Sequence, residues 1–210
     1  MLSTSVNIIP VLNAKVEVMD KRQQLISTAF TLFYQRGIHA VGINLILDTS
    51  GIAKKTLYHH FATKEDLLLA VLEYRDSVFR DWLARRLRQA GSGRIASLAL
   101  FDALDDWFND RVAELQPFAG CFFINCCAEF GDVTHPVHRH CARHKADIQA
   151  LLSELLQQDG MSYQQASAVA ARLCLLKEGA IVQAYVCGEL EAAKLAKSLA
   201  MEIVKGADIN

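Results

Sequence analysis

From Asp20 onward the apolar residues recur three and four positions apart, and no stretch alternates apolar and polar residues long enough to form one face of a sheet. That spacing lays an apolar stripe along a helix, whereas a half-buried strand needs a period of two. Ile26, Ala29, Phe30 and Phe33 share the first such stripe, with Asp20 at the N-cap position and Gly37 as the stop. Two short helices follow at 43–50 and 54–60, broken by Ser50-Gly51-Ile52. A long helix opens near Thr63-Lys64-Glu65 and runs to about Gln89, with Leu67, Val71, Tyr74, Val78 and Trp82 as its buried stripe. Beyond Gly91-Ser92-Gly93 the pattern predicts helices over 94–114, 120–130, 136–158, 162–186 and 190–205. The fold class is all-α, with about nine helices.

Composition narrows what this helical chain can be. At 210 residues, 52% hydrophobic and 21% charged, it has the makings of one domain or two small ones around a real core. The two longest uncharged runs, 1–14 and 115–128, fall short of the roughly 20 residues a spanning helix needs, so no membrane partner is expected. The start lacks the basic region of a secretory signal. These features predict an intracellular, cytoplasmic protein whose six cysteines are reduced thiols. Residues 1–19 show no helical pattern and read as a tail, with Met19 as an alternative start.

The net charge of −1 hides an asymmetry. Residues 20–64 carry six Lys/Arg against two Asp/Glu, while residues 91–210 carry ten against 15. A basic block on an acidic body suggests a local contact with a polyanion. Within that block the two short helices around Gly51 have the helix-turn-helix pattern. Ile46, Leu47, Ile52 and Leu57 can lock the pair together. Lys54, Lys55, Thr56, Tyr58 and His59 then offer cations and donors to phosphates and base edges in a major groove. A helical corner with solvated lysines is the alternative on pattern alone.

The Ser50-Gly51-Ile52 turn, the Lys54-x-Thr56-Leu57-Tyr58-x-His60-Phe61 helix and the Thr63-Lys64-Glu65-Asp66-Leu67 start of the next helix resemble the TetR/AcrR family of bacterial regulators. The similarity is close over about residues 20–72. It implies a DNA-binding domain at 20–66 and a helical ligand-binding and dimerisation domain at 67–210. It further implies a homodimer bound to a palindromic double-stranded operator and released by a small-molecule effector, a repressor by family habit, with no cofactor. By matching position, Lys55 and Thr56 face the groove and Tyr58, His59 and Lys64 contact phosphate. A helix start suits an anion at Lys64 independently. The chain departs from the family pattern at Val41-Gly42 and at Ala53, where a hydroxyl is usual. Losing such a cap costs about 1 kcal/mol.

The second half is less specific. Trp107, Phe108, Phe118, Phe122, Phe123 and Phe130 gather around Gly120-Cys121, with Asn125, Cys126, Cys127 and Glu129 interleaved. They suit an apolar effector pocket, or ordinary helix packing. Lys177, Glu178 and Gln183 are weaker candidates. Small residues on the last two helices (Ala180, Ala184, Ala192, Ala193, Ala196, Ala200) let helices approach closely, either within the chain or, as the resemblance implies, across a dimer. Cys121, at a helix start, is a candidate sensor of oxidants or electrophiles, although free cysteine is often only a small buried hydrophobe. A thiol-dependent enzyme is a remote alternative without a recognisable nucleophile motif. His140 and His144 stand four apart on one helix face, a spacing zinc can use, but no second pair completes a site, and capping or structural roles are expected for this histidine cluster.

Overall fold

The computed structural model describes residues 20–206, and within them the secondary structure is helical. The expected tail at 1–19, and with it Met19, lies outside the described residues. Helix α1 (Lys21–Arg36) packs on α2 (Ile43–Ser50), on α3 (Lys54–His60) and on α4 (Lys64–Ala90). Helices α5 (Gly93–Phe108), α6 (Phe122–Glu129), α7 (Pro136–Gln157), α8 (Tyr163–Val186) and α9 (Ala192–Gly206) form the larger body. In it α8 packs on α7 and α9, and α5 on α4 and α9.

The punctuation works as the residue types dictate. Gly37 ends α1 at φ 82°, and its N–H reaches Phe33 O at 2.9 Å. A side chain there would be strained by the φ and would also crowd the Glu129 carboxylate at 3.3 Å. Asp20 sits at the N-cap of α1 without a side-chain hydrogen bond. By contrast, Thr63 and Asp66 close a full capping box on α4, and Ser162 and Gln165 do the same on α8.

One helix ends earlier than its periodicity suggests. The helix expected over 94–114 stops at Phe108, and a single 3-10 turn, Ala113–Leu115, follows. Local polar contacts outcompete the helical register. Asn109 Nδ2 donates back to Asp105 O at 2.8 Å, and Asp110 turns to φ 56°. Arg111 then folds onto the carboxylates of Asp105 and Asp106, reaching the latter at 3.0 Å through Nε. The connector 109–121 therefore joins α5 to α6 through turns and this one 3-10 segment.

The alanines of the last two helices resolve toward the interior. Ala180, Ala184, Ala193, Ala196 and Ala200 are buried, where they let α8 and α9 approach each other and α5. Among the described residues no helix is long and apolar enough to cross a membrane.

Candidate functional site

The turn between α2 and α3 is built by three residues. Gly51 takes the left-handed conformation at φ 68°, ψ 14°, and its N–H returns to Leu47 O at 2.9 Å. Ser50 Oγ accepts the Ile52 N–H at 3.3 Å, and Gln24 on α1 donates through Nε2 to Ser50 O at 2.9 Å. Ile46, Ile52, Leu57 and Phe61 are buried beneath the turn, and Leu47 packs half-buried against them. The two helices are thus clamped as one rigid unit.

With Leu57 buried, α3 turns Lys54, Lys55, Tyr58 and His59 to the surface, while Thr56 is half-buried. Gly42 and Ala53 occupy the N-cap positions of α2 and α3, and neither helix has a side-chain cap. Lys64 is held differently. Its ammonium donates to Ile38 O at 2.6 Å and lies 5.7 Å from the centre of the Phe33 ring. Burial lowers its pKa, with the nearby Glu129 carboxylate opposing.

Glu129 carries a role that its neighbours in sequence do not suggest. Its carboxylate accepts the Ile38 N–H at 2.7 Å, the His39 N–H at 2.6 Å and an Nδ1 contact of His39 at 2.7 Å. Burial pushes this carboxyl up, but the two backbone N–H bonds and the His39 ring outweigh it, leaving the pKa below the usual range. The loop before α2 is thereby fastened to the end of α6. A second fastening lies alongside: Tyr34 on α1 donates to Gly120 O at 2.8 Å and accepts from Ala119 N at 2.9 Å. Burial lifts this phenol to about 12, so it stays a neutral donor.

The aromatic candidates cluster in the interior. Trp107, Phe108, Phe122 and Phe123 are buried and pack edge-on or tilted on Phe79, Phe118 and one another. Cys126 is buried, its thiol pushed up by burial and by Cys141. Asn125 is half-buried and its Nδ2 reaches Ala119 O at 3.4 Å. Lys177 is buried and paired with Glu178, which also takes Lys145 at 2.7 Å. Lys145 Nζ lies 3.3 Å from Cys121 Sγ at the head of α6.

Each histidine beyond residue 130 has a partner. His135 caps α7 through Val137 N, His138 Nδ1 meets Phe130 O at 3.0 Å, and His140 Nδ1 meets Arg143 at 2.9 Å. His144 Nδ1 lies 2.6 Å from Asp76, and its ring stacks on Phe123 at 3.7 Å. Burial drives His144 down to about 4 despite Asp76, so it is neutral at pH 7. Among the described residues no group of three or more His, Cys, Asp or Glu side chains is arranged to hold a metal ion.

One interior residue escaped the sequence reading. Arg75 is 2% exposed, on α4, and pairs with no carboxylate among the described residues. Its guanidinium lies 5.2–5.8 Å from the ring centres of Phe30, Tyr34, Phe79 and Trp107, and donates to Leu115 O at 3.2 Å. Burial lowers its pKa, with Tyr34 and Cys121 opposing. Burying an ion costs several kcal/mol, and each cation–π contact returns about 0.5–2. The spacing of Arg75, four after Val71 and seven before Trp82, already puts it on the buried stripe of α4, but its charge makes it read as surface. The fold shows what surrounds it.

The comparisons agree with this architecture. The profile of the Bacterial regulatory proteins, tetR family, matches residues 25–71, and that of the Transcriptional regulator LmrA/YxaF-like, C-terminal domain, matches 97–199. The crystal structure of SCO4454, a TetR-family transcriptional regulator from Streptomyces coelicolor, superposes with a TM-score of 0.73 at 31% identity, covering 89% of this chain and 87% of that one. The chain belongs to the TetR family. It is similar to the HTH-type transcriptional repressor NemR of Escherichia coli, 27% identical over 138 residues, which span 66% of this chain and 68% of NemR. It is also similar to the uncharacterized HTH-type transcriptional regulator YxaF of Bacillus subtilis, 23% identical over 164 residues, 78% and 84% of the two chains. As a TetR-family member the chain is a helix-turn-helix transcriptional regulator, not an enzyme.

Proposed function

We propose that this TetR-family chain is a homodimeric repressor that holds a palindromic operator through α3 and releases it when a small molecule occupies the larger domain. The observation that carries the reading is the division of α3. Leu57 anchors it while Lys54, Lys55, Tyr58 and His59 stand free for a major groove, with Lys55 and Thr56 toward the bases and Tyr58 and His59 toward phosphates. Lys64 joins them once its ammonium leaves Ile38 O for a phosphate. Similarity to the repressor NemR supports the sign of regulation.

Dimerisation is supported by an apolar stripe. Leu175, Val182 and Val186 share one face of α8, and Leu195 and Leu199 one face of α9, and all five are 42–74% exposed. A two-fold dimer through this stripe would present two α3 helices to half-sites one helical turn, or a multiple, apart. In vitro selection from randomised duplexes tests the reading: enrichment of a palindrome with that spacing supports it, and no enrichment above nonspecific, salt-sensitive binding overturns it.

A second reading, in which Cys121 senses oxidants or electrophiles, draws on the contact of its sulfur with the Lys145 ammonium at 3.3 Å. Loss of operator release by an electrophile in Cys121→Ser, but not in Cys187→Ser, would support it.

A further inference from the structure

Arg75 is a buried cation with no carboxylate partner among the described residues. Five N–H donors face an aromatic cage, and among the described residues a single backbone carbonyl, Leu115 O, accepts from them. Beside it the Trp107 Nε1–H is buried with no hydrogen-bond partner among the described residues. The guanidinium on α4 and the indole on α5 thus sit side by side, 5.8 Å from Arg75 Cζ to the Trp107 ring centre, within a shell that Phe30, Tyr34 and Phe79 complete. Structural interiors avoid this arrangement, because a hydrophobic side chain of similar size would pack there without leaving polar groups unmet.

We propose that Arg75 and the Trp107 indole N–H receive the carboxylate of an organic effector, whose apolar body lies among the surrounding rings. The proposal rests on the reading of the chain as an effector-responsive regulator and names the chemistry of that effector. A carboxylate fits better than a phosphate. It matches the planar guanidinium fork and brings one charge to one cation.

The acceptor it replaces sits at a telling place. Leu115 belongs to the connector 109–121, which holds two non-glycine residues at positive φ, Asp110 and Gln116. The same connector grips the DNA-binding unit: Gln116 Nε2 donates to Thr31 Oγ1 at 3.0 Å, and Ala119 and Gly120 hold the Tyr34 hydroxyl. Thr31 and Tyr34 are both on α1. A carboxylate that takes the guanidinium from Leu115 O frees the connector, and the connector carries the change to α1. The ligand shifts the equilibrium only by its preference for the displaced connector.

The test is calorimetric titration of the free full-length protein with benzoate, phenylacetate and the straight-chain carboxylates from butyrate to dodecanoate, each beside its neutral carboxamide. At least one carboxylate should bind tenfold or more tightly than its amide. Arg75→Met should lose that binding at least thirtyfold while melting at or above the wild-type temperature, since a buried unpaired charge has gone. Trp107→Phe keeps the ring, and should weaken the carboxylate several-fold; it decides the matter if Arg75→Met does not fold. Binding of no carboxylate, equal binding of acid and amide, or retention within threefold in a folded Arg75→Met overturns the proposal. Because the titration uses free protein, its result stands apart from the duplex selection, which judges the regulator reading on its own.

Discussion

Glu129 accepts the backbone N–H of Ile38 at 2.7 Å, joining the end of α6 to the loop that leads into α2. The bond is charge-assisted and doubled by His39 N–H, so the loop 37–42 is set by a residue 91 positions away. Glu129→Ala should destabilise the protein by about 1–2 kcal/mol, and Glu129→Gln by less, since an amide oxygen still accepts. Urea unfolding reads the cost directly. The same variants should weaken operator affinity, because the angle at which α2 leaves the loop is no longer held.

His144 makes stability depend on pH. Its folded pKa of about 4 lies below the ordinary value of 6.5, so the unfolded chain binds the proton first as pH falls. The stabilisation is complete above about pH 6.5 and is lost between there and pH 4, for a total on the order of 3 kcal/mol. His144→Asn, whose amide can still donate to Asp76, should flatten the melting temperature over that range. An unchanged pH slope in this variant would assign the acid sensitivity elsewhere.

The apolar stripe gives a direct prediction for assembly. Leu175→Glu and Val182→Glu place charge on an exposed face, 74% and 44% accessible in the single chain, where neither disturbs the core. Sedimentation equilibrium should show a dimer for the wild type and a monomer for the double variant, with an unchanged far-ultraviolet helical signal.

Much of this arrangement could be read from residue order. The short helices 43–50 and 54–60 match because Gly51 and the buried Ile46 and Leu57 determine them locally. The exposed set on α3 follows from the same periodicity. Where competing contacts are local but polar, as at Asn109 and Arg111, apolar spacing overruns the true helix end. What stayed hidden depends on distant pairing. Nothing near Tyr34 in the chain announces Gly120, 86 residues on, and nothing near Glu129 announces Ile38. Arg75 was hidden for another reason: it lies on the buried stripe, four after Val71 and seven before Trp82, but a charged residue type argues for the surface, and the rings and carbonyl that receive it come from α1, α5 and the connector. The aromatic cluster was visible as a cluster, but only the packing shows that Trp107 keeps an unmatched N–H.

DNA reading by α3 is the central property of this regulator as proposed. Fluorescence anisotropy at fixed salt, on the duplex recovered by selection, compares wild type with Lys55→Ala and Tyr58→Ala. Both variants should remain folded dimers and lose affinity. Lys55→Ala should lose about 1–3 kcal/mol, chiefly against the selected sequence if it reads a base, and Tyr58→Ala should weaken all sequences alike as a phosphate contact does. Unchanged affinity in both variants would contradict the account.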